Sequence, residues 1–553
     1  MLALPRRVDV SNQVAMLLKK APFQIILQLL FYATLAVYSY QLLADPHFNP
    51  IDDYQFLETT QVGKFLPPFI VPDISRFCPL LGFEYNVITR LLPATPVFYF
   101  AYHLLQLLIF SFLSLQILKR ATRNVALQYA ILLLYITTPG FITALFRPFV
   151  GERSVIFWFT IFLFFYFKFQ DKNKILSFGT ALLCASIALY YKEPVFLMLG
   201  SFALLHLVSS WKTSALAAKW LDGSLLISAG IYGLLYFVFV YLQRGPLNYA
   251  ATIHNQDLIQ QVISFFQSDP LLFLFLLPLL VIRVVAITTR RAQFHSFYDS
   301  LLLAALIYIL VYFKLAIAGQ YYLQPAYIAI MPALAYNFKP GCENQVQKVQ
   351  FSYAVIALVF VLMSNPTQIF PKSLPSTLNK YKYVASNYDP MLNYLVQDVR
   401  SRAKGKRVNI FLNLNKNSGY EAYWSFIKFL QYKGLTSRQF DVKTDQPEND
   451  FYKFNITDPY SPYSVLKSNQ PNKIARGDYL VVLPLLQYNY VEPTYERLDA
   501  QHKNSYDDTE CLHTIDGHYR LLFRTNNQLG PPVKAARGML CRFEPNYYVF
   551  EYQ

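Results

Sequence analysis

Up to about residue 370 this chain is a series of apolar runs, each near the length that crosses a bilayer, with charges confined between them. A crossing helix needs roughly 20 predominantly apolar residues, because lipid offers the backbone no hydrogen-bond partner. On that criterion the sequence predicts about 11 spans, near 22–43, 96–118, 124–142, 153–169, 175–191, 194–210, 224–243, 270–289, 300–318, 324–338 and 351–369. The first run follows Arg6, Arg7, Lys19 and Lys20 and has no small-residue cleavage site after it. It therefore reads as a retained helix and not as a cleaved signal peptide.

The charges between the runs set an orientation. Lys119, Arg120, Arg123, Lys168, Lys172, Lys174, Lys212, Lys219, Arg290, Arg291, Lys339 and Lys348 fall on the side of the basic N-terminus. The richer side is expected to be cytoplasmic. An odd number of spans then carries the C-terminus outside. The formal charge of +16 might suggest a nucleic-acid partner, but much of that excess lies in these short loops. It reads as a topology signal and a membrane-surface contact, with no nucleic acid implied. With 54% apolar, 17% aromatic and only 15% charged residues, the chain does not have the make-up of a soluble domain.

From residue 371 the composition changes, and about half of all Lys and Arg lie there. Strand-like runs at 407–412, 440–443, 478–483 and 519–523 flank a helical pattern over 420–432 that Gly434 closes. The expected fold class is an α-helical polytopic membrane protein over 1–370 with a C-terminal extracytoplasmic α/β domain over 371–553. That outer domain has no Gly-rich phosphate loop, no nucleophile elbow and no His/Cys cluster, and reads as a lid or substrate-guiding domain. Cys184 lies in an apolar run and Cys342 in a cytoplasmic loop. Cys511 and Cys541 lie in the tail, where an oxidising compartment would let them pair; two unrelated thiols fit equally.

Candidate chemistry gathers on the outer side. The first outer loop opens with Asp52-Asp53, holds Arg76 and Arg90, and is stiffened by Pro67, Pro68, Pro72, Pro79 and Pro93. Tight outer turns carry Arg147, Glu152 and Arg153, then Lys192 and Glu193, then Tyr321, Tyr322 and Gln324. A longer loop has His254, Asn255 and Asp257. Each group has a plain reading: Asp52 and Asp53 as solvated loop residues or helix caps, the charged turns as local ion pairs, the tyrosines as interfacial anchors. Taken together, an acidic pair and several cations around an apolar scaffold suit a substrate with an anionic head and a lipid tail.

Asp52-Asp53 after the first span resembles the acidic motif of the C-type glycosyltransferases, multi-spanning enzymes that use polyprenyl-phosphate sugars, such as protein O-mannosyltransferases and aminoarabinose transferases. Arg76-Phe77-Cys78-Pro79-Leu80, Gly151-Glu152-Arg153 and Gln320-Tyr321-Tyr322-Leu323-Gln324-Pro325 are similar to features of that family, as is the outward C-terminal domain. The first loop departs from the mannosyltransferase pattern in lacking a His-Pro-Pro and in having Asp as the second acid. The resemblance implies transfer of a sugar from a polyprenyl-phosphate donor to an extracytoplasmic glycan, lipid or protein, in a bacterial inner (plasma) membrane. It casts Asp52 or Asp53 as the base and Arg76, Arg147, Arg153 and Lys192 as phosphate ligands. Glu152, Glu193, Tyr321, Tyr322 and Gln324 would shape the pocket. It implies no certain cofactor and leaves a divalent metal open. A lipid-linked-glycan transporter, or a non-catalytic membrane subunit with a partner-binding outer domain, are the competing functions. Matching broken helices in two halves would mark a transporter, and none is evident in the sequence.

Overall fold

The computed structural model describes residues 10–72, 75–243, 258–268, 272–315, 317, 319–337, 374–403, 407–412, 419–444, 473–483, 518–525, 533–534, 540–541 and 547–553. The expected span at 351–369, the group His254, Asn255 and Asp257, and Cys342 and Cys511 lie outside them.

The helical part begins with α1 (Val10–Leu43) and, after the first loop, continues as α4 (Pro96–Ala121), α5 (Val125–Ile136), α6 (Pro139–Phe146), α7 (Gly151–Lys172), α8 (Ile175–Leu189), α9 (Val195–Ser210) and α10 (Leu216–Tyr236). Then come α11 (Leu258–Ser268), α12 (Leu277–Thr288), α13 (Ser296–Lys314) and α14 (Gln324–Asn337). Among the described residues, five helices are long and apolar enough to cross a membrane: 24–43, 96–121, 151–172, 216–241 and 296–314. Their outward residues include Ile26, Leu29 and Leu30 on α1 and Ile227, Ile231 and Leu234 on α10. Apolar side chains on the outside of a helix this long have lipid as their solvent, and the protein is an integral membrane protein.

The run expected to cross as one helix at 124–142 is broken. α5 and α6 meet at a 62° bend. Pro139 cannot donate to the preceding turn, so the backbone restarts there, and Thr138 caps the new helix by accepting the Phe141 N–H. The tip of α6 is thereby turned towards the first loop. That loop is built from α2 (Tyr54–Glu58), a hairpin of β1 (Phe69–Val71) and β2 (Arg76–Cys78), and α3 (Phe83–Leu91).

The C-terminal domain, expected on the outer side, starts with the long helix α15 (Leu374–Ala403). Its sheet has β3 (Val408–Leu412) flanked in parallel by β4 (Phe440–Thr444) and β5 (Tyr479–Val482). β9 (Tyr548–Tyr552) runs antiparallel between β5 and β6 (Tyr519–Arg524), giving the order β4-β3-β5-β9-β6. A short pair, β7 (Val533–Lys534) and β8 (Leu540–Cys541), stands apart. α16 (Gly419–Tyr432) joins β3 to β4. The strands and helix expected from the sequence form here, while α15 and β9 carried too little pattern to be foreseen.

The two parts share a core. Phe48, Phe56, Tyr85 and Tyr99 from the first-loop region cluster with Tyr388, Leu392, Phe426 and Phe429 of the outer domain. Lys428 on α16 pairs with Glu58 on α2. Lys433 reaches Asp389 at 3.0 Å, and Asp389 in turn meets His47 at 3.1 Å.

Candidate active site

The site forms where the first loop, the α6–α7 turn, the α8–α9 turn and the turn before α14 meet. Asp52 sits in the left-handed region at φ 67°. Asp tolerates that conformation better than most residues. The kink aims its carboxylate at Arg147, and the two form an ion pair with side chains about one-fifth exposed (21% and 20%). Asp53 points the other way. It is 1% exposed and accepts the Asn49 N–H at 2.7 Å. Burial pushes its carboxyl well above the usual range, helped by the Asp52 charge, while the Asn49 and Phe149 N–H groups oppose it. The adjacent acids are thus distinct: one faces a cation in a partly open site, the other is tied into the loop.

From Arg147 a chain of contacts crosses the site. Its guanidinium lies 5.4 Å from the Tyr321 ring centre. Tyr321 stands 4.1 Å from Tyr322, and Lys192 lies 4.7 Å over the Tyr322 ring. Lys192 also pairs with Glu152 at 2.7 Å. Next in sequence, Glu193 holds Arg76 Nε at 3.0 Å and accepts the Phe77 N–H at 3.0 Å, which fixes β2 against the α8–α9 turn. Burial alone would raise the Glu193 carboxyl, but Arg76 and Lys192 outweigh it and hold it below the usual range. The buried Cys78 thiol is pushed up by burial, with the Glu193 charge adding to the effect. Tyr312 from α13 stacks on Tyr322 at 5.3 Å. Tyr381 from α15 donates to Thr143 at 3.2 Å, within electrostatic reach of Arg147 and Asp52. The outer domain thus supplies one wall.

Two glycines permit these approaches. A Cβ on Gly151 would meet the Tyr191 carbonyl oxygen at 2.5 Å, so α7 can start against the α8–α9 turn only with glycine there. A Cβ on Gly319 would strike the Tyr322 ring at 2.5 Å.

Of the residues singled out from sequence, Asp52, Arg76, Arg147, Glu152, Lys192, Glu193, Tyr321 and Tyr322 come together here. Arg153 does not open onto the site. It is 4% exposed, and all five of its donors are taken. Nε bonds Gln106 at 2.9 Å, and Nη1 bonds the Arg147 and Pro148 carbonyls at 2.9 and 3.0 Å. Nη2 bonds Glu84 at 3.2 Å and Tyr85 at 2.7 Å. Gln324 is buried at the start of α14 and accepts from Thr138 at 3.2 Å. Arg90 faces elsewhere.

Glu84, Tyr85, His103, Gln106 and Tyr191 escape the sequence reading. They form the buried network that holds Arg153: Glu84 accepts from Ser154 and Tyr191 at 2.9 Å each, and Tyr85 bonds His103 at 2.7 Å. The one signal was an acid in an otherwise apolar and aromatic stretch. For a cofactor, no group of three or more His, Cys, Asp or Glu side chains able to hold a metal occurs among the described residues. Asp52, Glu152 and Glu193 are each already matched to a cation.

No protein-family model matches the chain, and no curated protein does. Among solved structures it is similar to ArnT from Cupriavidus metallidurans bound to undecaprenyl phosphate. The match has a TM-score of 0.42 and 11% identity, and covers 84% of this chain and 94% of that one. The likeness is distant.

Proposed function

We propose that the protein is a membrane glycosyltransferase of the C type, transferring a sugar from a polyprenyl-phosphate carrier to a hydroxyl of an extracytoplasmic acceptor. The observation that carries this is the Asp52–Arg147 pair, partly open, in a site that also holds Lys192, Arg76 and the adjoining rings of Tyr321 and Tyr322. Arg147 is held by a single carboxylate in a partly open site, so a second anion that enters can compete for it. A phosphate offers Arg147 more acceptor oxygens in charge-assisted bonds. When Arg147 turns to the carrier phosphate, Asp52 is released as a base beside it.

In that arrangement the acceptor hydroxyl gives its proton to Asp52, and its oxygen bonds to the anomeric carbon. The bond from that carbon to the phosphate oxygen breaks, and the electron pair leaves on the phosphate, where Arg147, Arg76 and Lys192 stabilise the charge. Tyr321 and Tyr322 give the sugar flat faces to lie on. Arg153 acts as a positioning residue, holding the turn that carries Arg147. The basic side of the bundle is cytoplasmic in this proposal, and the site and the outer domain face out of a bacterial inner membrane.

Purified protein given a carrier-linked sugar and an acceptor is expected to transfer it. Asp52→Asn should reduce transfer by about 10²–10⁴-fold while carrier binding persists. Asp53→Asn should act through the loop and be milder. Wild-type transfer by both variants would sink the proposal. Movement of carrier-linked glycan across a liposome by wild-type protein, without any transfer, would establish the transporter instead.

A further inference from the structure

α3 is inside out for a water-facing helix. Glu84 and Asn86 are buried, whereas Phe83, Val87 and Leu91 are exposed, Leu91 at 78%. Those three fall at positions i, i+4 and i+8, one stripe of a helix. Only Leu92–Thr95 separate α3 from α4, and four residues reach at most about 14 Å. The stripe therefore lies at the level of the mouth of a membrane helix. It runs on through exposed Leu92 and Val97 to the outward face of α4 at Leu105, Leu108 and Phe112.

Beside the stripe lies a cleft of about 320 Å³, walled by Phe65, Pro67, Leu81, Phe83 and Val87, with Arg90 among its lining. The cleft is rigidly framed. Asn86 clamps the Leu66 backbone from both sides, accepting its N–H and donating to its carbonyl at 2.8 Å each. Arg90 lies over the Phe65 ring at 4.5 Å and makes no hydrogen bond or ion pair among the described residues. The cleft is thus an apolar slot, open to lipid, with an uncommitted guanidinium at its edge.

We infer that this cleft is a binding site for one anionic phospholipid of the surrounding leaflet, with an acyl chain in the slot and the headgroup phosphate on Arg90. The carrier is not the occupant. Its phosphate has its own cations in the site described above, and Arg90 contacts none of them. Two separated sets of cations imply two headgroups. An arginine over an aromatic ring keeps its edge free for a phosphate, and its planar fork suits two phosphate oxygens. The inference rests on the membrane reading of the helices and, in excluding the carrier, on the carrier site proposed above.

The test uses full-length protein stripped of lipid in detergent. It is titrated with phosphatidylglycerol or phosphatidylcholine of the same chains, and bound lipid is counted by native mass spectrometry. Phosphatidylglycerol should bind the wild type about fivefold more tightly than phosphatidylcholine, the scale of one interfacial cation. Arg90→Gln should bring it down to the phosphatidylcholine level, and Val87→Asp, which sets a carboxylate in the slot, should weaken both. Arg90→Gln should still bind undecaprenyl phosphate as the wild type does. Equal binding of the two phospholipids by the wild type, or no change in Arg90→Gln, overturns the inference. So does displacement of phosphatidylglycerol by undecaprenyl phosphate, which would make the slot part of the carrier site.

Discussion

Arg147 and Arg153 are six residues apart, one closing α6 and the other in the first turn of α7, and their surroundings give them opposite duties. Arg147 has one carboxylate partner and lies beside an aromatic ring in a partly open site. Arg153 is buried and spends every donor on the protein. Removing it would leave Glu84 as a buried charge without its counterion, a loss of about 3–5 kcal/mol. Arg153→Met should therefore lower the melting temperature markedly in detergent. Arg147→Gln should melt close to the wild type yet lose carrier binding and transfer. Equal stability of the two variants would contradict this division. The charges of these turns were legible in the sequence because short polar turns between apolar runs stand out. Their pairings were not, because Glu84 and Arg153 are far apart in the chain and meet only once α3 has packed on α7. The same holds for Asp52 and Asp53: adjacency says nothing about which one the backbone turns inward.

Among the elements, the apolar runs told where helices form and roughly where they stop, but not the α5–α6 bend. The run 124–142 is apolar throughout, and a Thr-Thr-Pro inside it is compatible with either a kink or a continuous helix. α15 shows the opposite failure. Its mixed polar surface gives little periodicity, and it is fixed by docking onto α6 and the sheet. His47 is central to that docking. It bonds Asp389 on α15 at 3.1 Å and Asp45 at 2.8 Å. Lys433 also reaches Asp389, and Lys382 donates to the Asp45 carbonyl at 2.7 Å. The bond to Asp389 raises the imidazole pKa against the effect of burial, and Asp45 adds to it. The docked form therefore binds the proton more tightly than the undocked form. This contribution is complete below the ordinary imidazole value near 6.5 and is lost as pH rises through the raised one. Hydrogen exchange in α15 should accelerate as pH rises above about 6.5 beyond the intrinsic base-catalysed rate, and His47→Gln should remove that excess. An identical excess in the variant would assign it to other groups.

For the whole molecule, the division into an apolar bundle and a mixed α/β tail was plain from composition, because lipid and water select different residues. The meeting of the two parts was not, since the shared cluster of Phe56, Tyr85, Tyr388 and Phe429 draws on aromatic residues that any core would use. Sidedness can be checked with the cysteines. In sealed cells under reducing conditions, a membrane-impermeant maleimide should label tail thiols at Cys511 or Cys541 and leave Cys342 untouched. Labelling of Cys342 alone would reverse the orientation.

Tyr381 belongs to the chain's outer portion, yet it stands beside Asp52 and Arg147 and bonds Thr143. The sheet is therefore not an interchangeable cassette. A chimera joined before residue 381 would replace a wall of the candidate site along with the sheet. Natural exchange of such outer portions between lineages would be constrained to carry α15 and its docking surface as one inherited unit.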